Sequence, residues 1–147
     1  MYKRQGSEDA AIPLNITAAL TDTDGSETLG ITISEVPSGA SLSAGTNNGN
    51  GSWTLTQAQL TNLTITPAAN SDADFTLSVS AEATGGTGGD TATTTASLEV
   101  TVTGVADQPT VTINDAAGAE DSTIPLDIGV ALNDFDGSET ITDVSIS

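Results

Sequence analysis

Apolar and polar residues alternate along most of this chain, which is the period-two pattern of half-buried β-strands. The apolar sets at every second position are Ile12, Leu14, Ile16, Ala18 and Leu20; Leu29, Ile31 and Ile33; Trp53 and Leu55; Leu63 and Ile65; Phe75, Leu77, Val79 and Ala81; and Ala96, Leu98, Val100 and Val102. The long strands are predicted at Ala11–Leu20 and Thr91–Thr103. Only Gln57–Leu60 has a helical pattern, and it is one turn long.

Short strands separated by clusters of Gly, Pro, Asn and Asp predict an all-β fold, an antiparallel β-sandwich of immunoglobulin-like kind. We expect an aliphatic core, with Trp53 and Phe75 as its large fillers. The predicted segments are one too many for a chain that enters and leaves the sandwich at opposite ends. One short segment must therefore run along the side of the sandwich instead of crossing from one end to the other. The candidates are Ala40–Ser43, Ser52–Leu55 and Leu63–Thr66, and the sequence leaves the choice open.

A segment near the beginning of the chain recurs 112 residues later. Glu8–Thr28 and Glu120–Thr140 are identical at fourteen of twenty-one positions, including every acid of a D-x-D-G-S-E stretch. A repeat of domain length indicates a string of like modules. This chain is expected to hold one near-complete module and the beginning of a second.

The boundary between the modules is predicted at residues 105–109. Pro109 cannot donate a hydrogen bond to a β-ladder, and a fresh alternating run begins at Val111. The first repeat is assigned to residues 6–104, and residues 110–147 form the N-terminal part of the next repeat, which ends after its third strand.

Residues 1–5 differ from the rest of the chain. They contain Lys3 and Arg4, the two bases of the sequence, and they have no counterpart in the second copy. We expect them to be a non-native leader. The first module is then expected to lack strand A.

The chain is strongly acidic, with twenty Asp and Glu against two bases and a formal net charge of −18. It cannot neutralise phosphates, so neither nucleic acid nor an anionic membrane surface is an expected partner. Its natural counter-ions are cations. A second interpretation is that acidity only keeps an extracellular or halophilic protein soluble.

The residue types that are missing exclude several kinds of chemistry. With no Cys there is no disulfide or thiolate site, and with no His the usual general base is absent. Paired carboxylates can cleave glycosides, but four aromatic residues are too few to line a sugar-binding cleft. We therefore predict that the chain is not an enzyme.

The repeated acids form a pattern that suits Ca²⁺, which takes six to eight oxygen ligands in a flexible geometry. They are Asp22, Asp24 and Glu27 in the first copy and Asp134, Asp136 and Glu139 in the second. The alternative is a solvated turn in which Gly25 and Gly137 supply backbone freedom. Repetition, the partner acids elsewhere and the absence of bases favour calcium.

Several segments resemble cadherin-type domains. A strand that ends A-A-L-T-D-T-D or V-A-L-N-D-F-D resembles their B strand, which runs into a D-x-D calcium loop. Asp72-Ala-Asp74 followed by Phe75-Thr-Leu-Ser-Val-Ser-Ala resembles their acidic loop and F strand. Ala106–Pro109 is similar to a shortened form of their linker, and Glu8 and Glu120 stand where those domains place a glutamate. The set resembles the tandem immunoglobulin- and cadherin-like repeats of giant bacterial surface adhesins exported by type I secretion.

In a sandwich of this kind, acids from both modules are expected to meet at the junction. The connection into strand B and the loop before strand F lie at the end where the linker leaves, and the loop after strand B of the second module faces back toward that linker. The predicted junction set is Glu8, Asp72, Asp74, Asp107, Asp134 and Asp136, with Glu139 or Asp9 as additions. Asp22, Asp24 and Glu27 would serve a preceding junction.

The leading hypothesis is mechanical. The module would be a spacer of a long extracellular adhesin on a bacterial cell surface, with Ca²⁺ at each junction stiffening the string for adhesion or biofilm formation. Its partners would be neighbouring repeats of the same chain and a host or biofilm ligand. The alternative is an immunoglobulin-like module of a secreted protein that binds carbohydrate or protein through its loops.

Overall fold

The computed structural model describes all 147 residues. The chain divides into two compact units, Met1–Gly104 (unit 1) and Val105–Ser147 (unit 2). The fold is all-β, with mixed and antiparallel sheets that are consistent with a β-sandwich. The chain contains no helix that is long and apolar enough to cross a membrane.

Nine strands belong to unit 1 and two to unit 2. They are β1 (Tyr2–Ser7), β2 (Ile12–Pro13), β3 (Glu27–Ser34), β4 (Ser41–Leu42), β5 (Thr46–Gly49), β6 (Ser52–Leu55), β7 (Thr64–Thr66), β8 (Phe75–Gly85), β9 (Thr91–Thr103), β10 (Thr110–Ile113) and β11 (Ile128–Ala131). A single 3-10 turn at Gln57–Leu60 precedes β7. This turn and the bounds of β9 agree with the sequence prediction.

The larger sheet of unit 1 has six strands in the order β1-β9-β8-β3-β6-β5. Its centre is the long antiparallel hairpin β8–β9, in which Phe75 pairs with Val100 at one end and Thr84 with Thr91 at the other. On the opposite edge of β8, Glu27 of β3 pairs with Gly85. The β8–β9 hairpin therefore has one end near Phe75 and Thr103 and another near Glu27 and Gly85.

The smaller sheet of unit 1 has three strands in the order β2-β7-β4. Of the three segments whose course the sequence leaves open, Ser52–Leu55 is β6 of the larger sheet. Ala40–Ser43 and Leu63–Thr66 contain β4 and β7, which pair with each other in the smaller sheet.

The core of unit 1 is aliphatic, as the sequence predicts. Alternate residues of the strands supply it, and its fully buried members include Ile31, Ile33, Leu77 and Val100. Trp53 and Phe75 are only partly buried and pack against this core from its edge. The large aromatic residues therefore border the core instead of filling it.

The predicted strand at Ala11–Leu20 is much shorter in the structure, where only Ile12–Pro13 forms a ladder. Burial still alternates beyond it, because Leu14 is buried and Ile16 and Ala18 pack against the core. The alternation therefore records which side chains face the core. A strand also needs a hydrogen-bonding neighbour, and residues 14–20 belong to no ladder.

The expectation that the first module lacks a first strand is wrong. Residues 2–7 form β1, which pairs parallel with β9 from Tyr2↔Leu98 to Ser7↔Thr103. Lys3 also forms an ion pair with Glu99 at 3.1 Å. Pairing through backbone groups requires no particular side chains, so a segment with an atypical composition can still complete the edge of the sheet. The non-native origin of residues 1–5 stays a prediction.

Unit 2 contains one antiparallel pair, β10–β11, in which Thr110 pairs with Ala131 and Ile113 with Ile128. The third strand predicted for the second module does not form. Its counterpart in unit 1 is β3, which pairs with β6 and β8. In unit 2, residues 141–147 pair with no strand.

Candidate metal centre

Three of the predicted acids of unit 1 lie around the last residues of β9. The amide of Glu8 donates to the carbonyl of Thr103 at 3.0 Å, and Oδ1 of Asp74 accepts from the amide of Val102 at 2.8 Å. A Cβ atom built on Gly104 would lie 3.6 Å from both Oδ2 of Asp72 and Oε1 of Glu8. The pairing of β1 with β9 and the loop before β8 therefore bring Glu8, Asp72 and Asp74 to one end of unit 1.

These acids differ in their environment. The side chain of Glu8 is 3% exposed, whereas Asp72 and Asp74 are exposed. Oδ1 of Asp9, which the sequence suggests as an additional ligand, accepts from the amide of Asn70 at 3.0 Å. This bond ties the segment after β1 to the loop that contains Asp72.

Asp22, Asp24 and Glu27 lie at the other end of unit 1. Glu27 pairs with Gly85, ten residues along β8 from Phe75, so the two acidic groups are about 30 Å apart. Oδ1 of Asp22 accepts from the amide of Asp24 at 3.0 Å, and Oδ1 of Asp24 accepts from the amide of Ser26 at 2.8 Å. Hydrogen bonds from the side chain and then from the amide of Ser26 lower the pKa of Asp24.

The second copy of the acid loop repeats this backbone geometry. Oδ1 of Asp134 accepts from the amide of Asp136 at 2.9 Å, and Oδ1 of Asp136 accepts from the amide of Ser138 at 2.8 Å. The glycines that follow the second aspartate have φ angles of 88° at Gly25 and 93° at Gly137. A left-handed conformation of this kind costs glycine no steric energy. The sequence repeat is therefore also a structural repeat.

The two copies differ in burial. Asp134 is 4% exposed, whereas its counterpart Asp22 is exposed. Both carboxylate oxygens of Asp134 accept hydrogen bonds, because Oδ2 also accepts from the hydroxyl of Ser138 at 2.8 Å. A buried, fixed carboxylate is better prepared to ligate a cation than one that rotates in water.

The acid loop of unit 2 is tied to the linker that precedes it. The amide of Asp107 donates to Oε1 of Glu139. Asn133 donates to the carbonyl of Gln108 at 2.7 Å and accepts from the hydroxyl of Thr110 at 2.9 Å. The predicted ligands Asp107, Asp134, Asp136 and Glu139 thus belong to one hydrogen-bonded segment of unit 2.

One atom in that segment has no hydrogen-bond donor. Oε2 of Glu139 is buried without a partner, while Oε1 of the same carboxylate accepts from the linker. An unpartnered buried oxygen of a charged group is costly. A bound cation is one way to satisfy it, and the same hydrogen-bonded segment contains the carboxylates of Asp107, Asp134 and Asp136, which are the kind of ligand that Ca²⁺ prefers.

Sequence reasoning did not find Gln108, Asn133 or Ser138, which order the acid loop of unit 2. Ser138 belongs to the repeated D-x-D-G-S-E stretch, so the repeat itself contained the signal. Asn133 replaces Thr21 of the first copy, and in the seven residues that follow only Phe135 differs from its counterpart, Thr23. The substitution at Asn133 was therefore a signal as well. Gln108 contributes its backbone carbonyl, for which no sequence signal exists.

Comparison with protein families, with curated proteins and with solved structures finds no match. Function is therefore inferred from the geometry, the repeat and the residue patterns of this chain.

Proposed function

We propose that this chain is part of a string of immunoglobulin- and cadherin-like β-repeats, and that Ca²⁺ bound where two repeats join stiffens the string. The observation that carries the proposal is the buried and unpartnered Oε2 of Glu139, next to a linker that the same carboxylate holds. A divalent cation at this position would satisfy that oxygen and offset the repulsion among the neighbouring acids.

The covalent chain supports a site shared by two repeats. Glu8 and Asp72 lie beside Gly104, the last residue of unit 1, and the amide of Asp107 is bonded to Glu139 in unit 2. Three peptide units separate Gly104 from Asp107, so their Cα atoms are at most about 11 Å apart in any conformation. This short connection is the basis on which we propose a site at the joint.

The charge distribution supports a metal ion over an ion pair. Residues 6–147 contain no Lys or Arg. Lys3 is bound to Glu99, and the Nε of Arg4 donates to the carbonyl of Leu14 at 2.8 Å. The acids beside the linker therefore depend on cations from solution for charge compensation.

The donor types support calcium over a transition metal. The chain has neither His nor Cys, and the available ligands are carboxylate, amide and backbone oxygens. Hard cations such as Ca²⁺ and Mg²⁺ bind such donors, and the irregular arrangement suits the flexible coordination of Ca²⁺ better than the strict octahedron of Mg²⁺. The proposed affinity is that of extracellular modules, with a Kd of about 10⁻⁴ to 10⁻³ M.

The biological setting that we propose is the surface of a bacterial cell. Ca²⁺ would hold neighbouring repeats end to end outside the cell, and a low-calcium cytoplasm would leave the chain loose enough for type I secretion. The stiffened string would serve as the spacer of an adhesin, with a host or biofilm ligand bound elsewhere along it. This setting follows from the resemblance to adhesin repeats and from the acidity of the chain.

The test is calcium titration calorimetry on the full chain and on two variants with matched substitutions. Asp134→Asn with Asp136→Asn removes two charges from the loop beside the linker and keeps the oxygens that cap the turn. Asp22→Asn with Asp24→Asn makes the same change in the repeat counterpart. We expect the first variant to weaken binding by about tenfold or more and the second to leave the affinity for this site unchanged. Equal effects of both pairs, or no binding at millimolar calcium, would contradict the proposal.

A further inference from the structure

Two exposed asparagines on turns of unit 1 begin the tripeptide Asn-x-Ser/Thr, in which x is not Pro. The tripeptides are Asn50-Gly51-Ser52 and Asn62-Leu63-Thr64. A third match begins at Asn15, in the irregular segment that follows β2. The motif is an acceptor for N-linked sugars and is used on protein surfaces. Because so short a motif also occurs by chance, the surroundings of each asparagine decide whether it can react.

Asn62 occupies the corner of a turn between the 3-10 turn and β7. The amide of Leu63 donates to the carbonyl of Leu60 at 3.3 Å. Thr61 has φ −67° and ψ 121°, and Asn62 has φ 56°, which are the angles of a type II turn. Leu60 and Leu63 are buried, so the core holds the turn from both sides. Asn62, between these two leucines, is exposed.

Asn50 occupies the corner of the β5–β6 hairpin. Asn50 and Gly51 have φ angles of 52° and 72°, and positive values at both central residues define a type I′ turn. The carbonyl of Gly51 accepts from the amide of Val36 at 3.0 Å. A Cβ atom built on Gly51 would lie 2.7 Å from the carbonyl oxygen of Val36. The turn is therefore packed against the chain through Gly51, while Asn50 is exposed.

The carboxamides of Asn50 and Asn62 form no hydrogen bond within the chain. Other asparagines have carboxamides that do form hydrogen bonds, and they include Asn47, Asn48, Asn114 and Asn133. A transferase can use the nitrogen of a free carboxamide without first breaking such a bond. The two asparagines that begin the motif on turns therefore also have a nitrogen that is free to react.

We propose that Asn50 and Asn62 are acceptors for a sugar that a glycosyltransferase takes from a nucleoside diphosphate sugar. Nδ2 of the asparagine forms a bond to the anomeric carbon of the sugar. The bond from that carbon to the diphosphate breaks, and the nucleoside diphosphate leaves with its electron pair. One proton of Nδ2 passes to a base of the transferase. The product is a bulky, hydrated group on a surface turn.

The two acceptors differ at the third residue of the motif, where a hydroxyl is required. The hydroxyl of Thr64 forms no hydrogen bond, whereas that of Ser52 accepts from Nδ2 of Asn48 at 3.4 Å. We therefore expect Asn62 to be modified faster than Asn50. None of the predicted metal ligands belongs to either tripeptide, so the loss of the calcium site would not affect these acceptors.

Treatment of the folded full chain with a soluble N-glucosyltransferase specific for this motif, and with UDP-glucose, tests the two acceptors. A protease that cuts after Trp53, which lies between the two asparagines, allows mass spectrometry to assign each sugar. We expect glucose on Asn62 and, more slowly, on Asn50. Thr64→Val should abolish the modification of Asn62 alone, and Thr64→Ser should preserve it. A chain without glucose on either asparagine would overturn the proposal. So would glucose that Thr64→Val leaves on Asn62.

A matched acceptor tests the role of the free carboxamide. Asp115→Leu with Ala116→Thr gives Asn114 the same two following residues as Asn62, but Nδ2 of Asn114 donates to Oδ2 of Asp127 at 2.8 Å. Peptides of residues 58–66, and of residues 110–118 with both substitutions, supply the rate of each motif without the fold.

The measured quantity is the rate in the folded chain divided by the rate in the corresponding peptide. We expect this ratio to be about fivefold higher at Asn62 than at Asn114, because a hydrogen bond contributes about 1 kcal/mol. Equal ratios at the two asparagines, or a higher ratio at Asn114, would overturn the structural basis of the proposal.

Discussion

The amide of Asp107 in the linker donates a hydrogen bond to Oε1 of Glu139, thirty-two residues further along the chain. This bond fixes the linker to the acid loop of the repeat that it introduces. The other oxygen of Glu139 is buried and has no donor. One carboxylate thus holds the linker in place and offers an oxygen that a cation can satisfy, which connects the path of the linker within unit 2 to the proposed ion.

The first prediction concerns Glu139 itself. Glu139→Gln removes the charge and keeps an oxygen that can accept from the amide of Asp107. We expect calcium affinity to fall by about tenfold, because ligand charge sets the affinity of such sites. Titration calorimetry checks this value, and Glu27→Gln is the matched control at the counterpart position. A control that loses as much affinity as Glu139→Gln would place the ion elsewhere.

Calcium should also stabilise the folded chain. If the Kd is about 10⁻⁴ to 10⁻³ M, then about 10 mM Ca²⁺ adds about 1.4 to 2.7 kcal/mol to the free energy of unfolding. Thermal unfolding in calcium and in chelator measures the difference, and Na⁺ at equal ionic strength controls for screening of the net negative charge. Identical melting curves in Ca²⁺ and in Na⁺ would argue against a specific site.

The repeat provides a matched pair of core substitutions. Leu14 is 1% exposed, whereas its counterpart Leu126 is 63% exposed. Leu14→Ala should lower the free energy of unfolding by about 2–5 kcal/mol, because it leaves a cavity in a packed core. Leu126→Ala should change it by no more than about 0.5 kcal/mol.

Urea unfolding followed by the fluorescence of Trp53, the single Trp of the chain, measures the effect of each Leu substitution on unit 1. The prediction fails if the two variants have the same midpoint. It would also fail if Leu126→Ala were the more destabilised of the two.

Asp24 provides a prediction for pH. Hydrogen bonds from Ser26 lower its pKa below 3.8, its ordinary value. A lowered folded-state pKa means that the contribution of this group to stability is present above the ordinary pKa and is lost as the pH falls through the folded one. NMR titration of the carboxyl carbon should show the low pKa. Ser26→Ala should raise it toward 3.8, and Ser26→Thr, which keeps a hydroxyl, should leave it low.

The sequence predicted the parts of the fold that depend on side-chain burial. Period-two alternation located β3, β8 and β9, because their inward residues, such as Ile31, Leu77 and Val100, must leave water. The same alternation failed at residues 14–20, where the side chains face the core and no neighbouring strand completes a ladder. It also failed for β1, which is held by backbone pairing with β9 and by no apolar pattern of its own.

The candidate site could be predicted only in part, for a similar reason. The repeat identified Asp134, Asp136 and Glu139, since acids retained between copies are visible in the sequence. The hydrogen bonds from Asn133 to Gln108 and from Asp107 to Glu139 involve backbone groups. These bonds depend on the path of the linker, which no local pattern encodes. The burial of Asp134 in contrast to Asp22 also required coordinates.

Small-angle X-ray scattering of the full chain during a calcium titration tests the central claim most directly. The account predicts that the radius of gyration changes between chelator and millimolar calcium and then saturates, because bound ions restrict the joint. The change should persist in Asp22→Asn with Asp24→Asn and disappear in Asp134→Asn with Asp136→Asn. A monomer whose scattering curve is the same in chelator and in millimolar calcium would contradict the account.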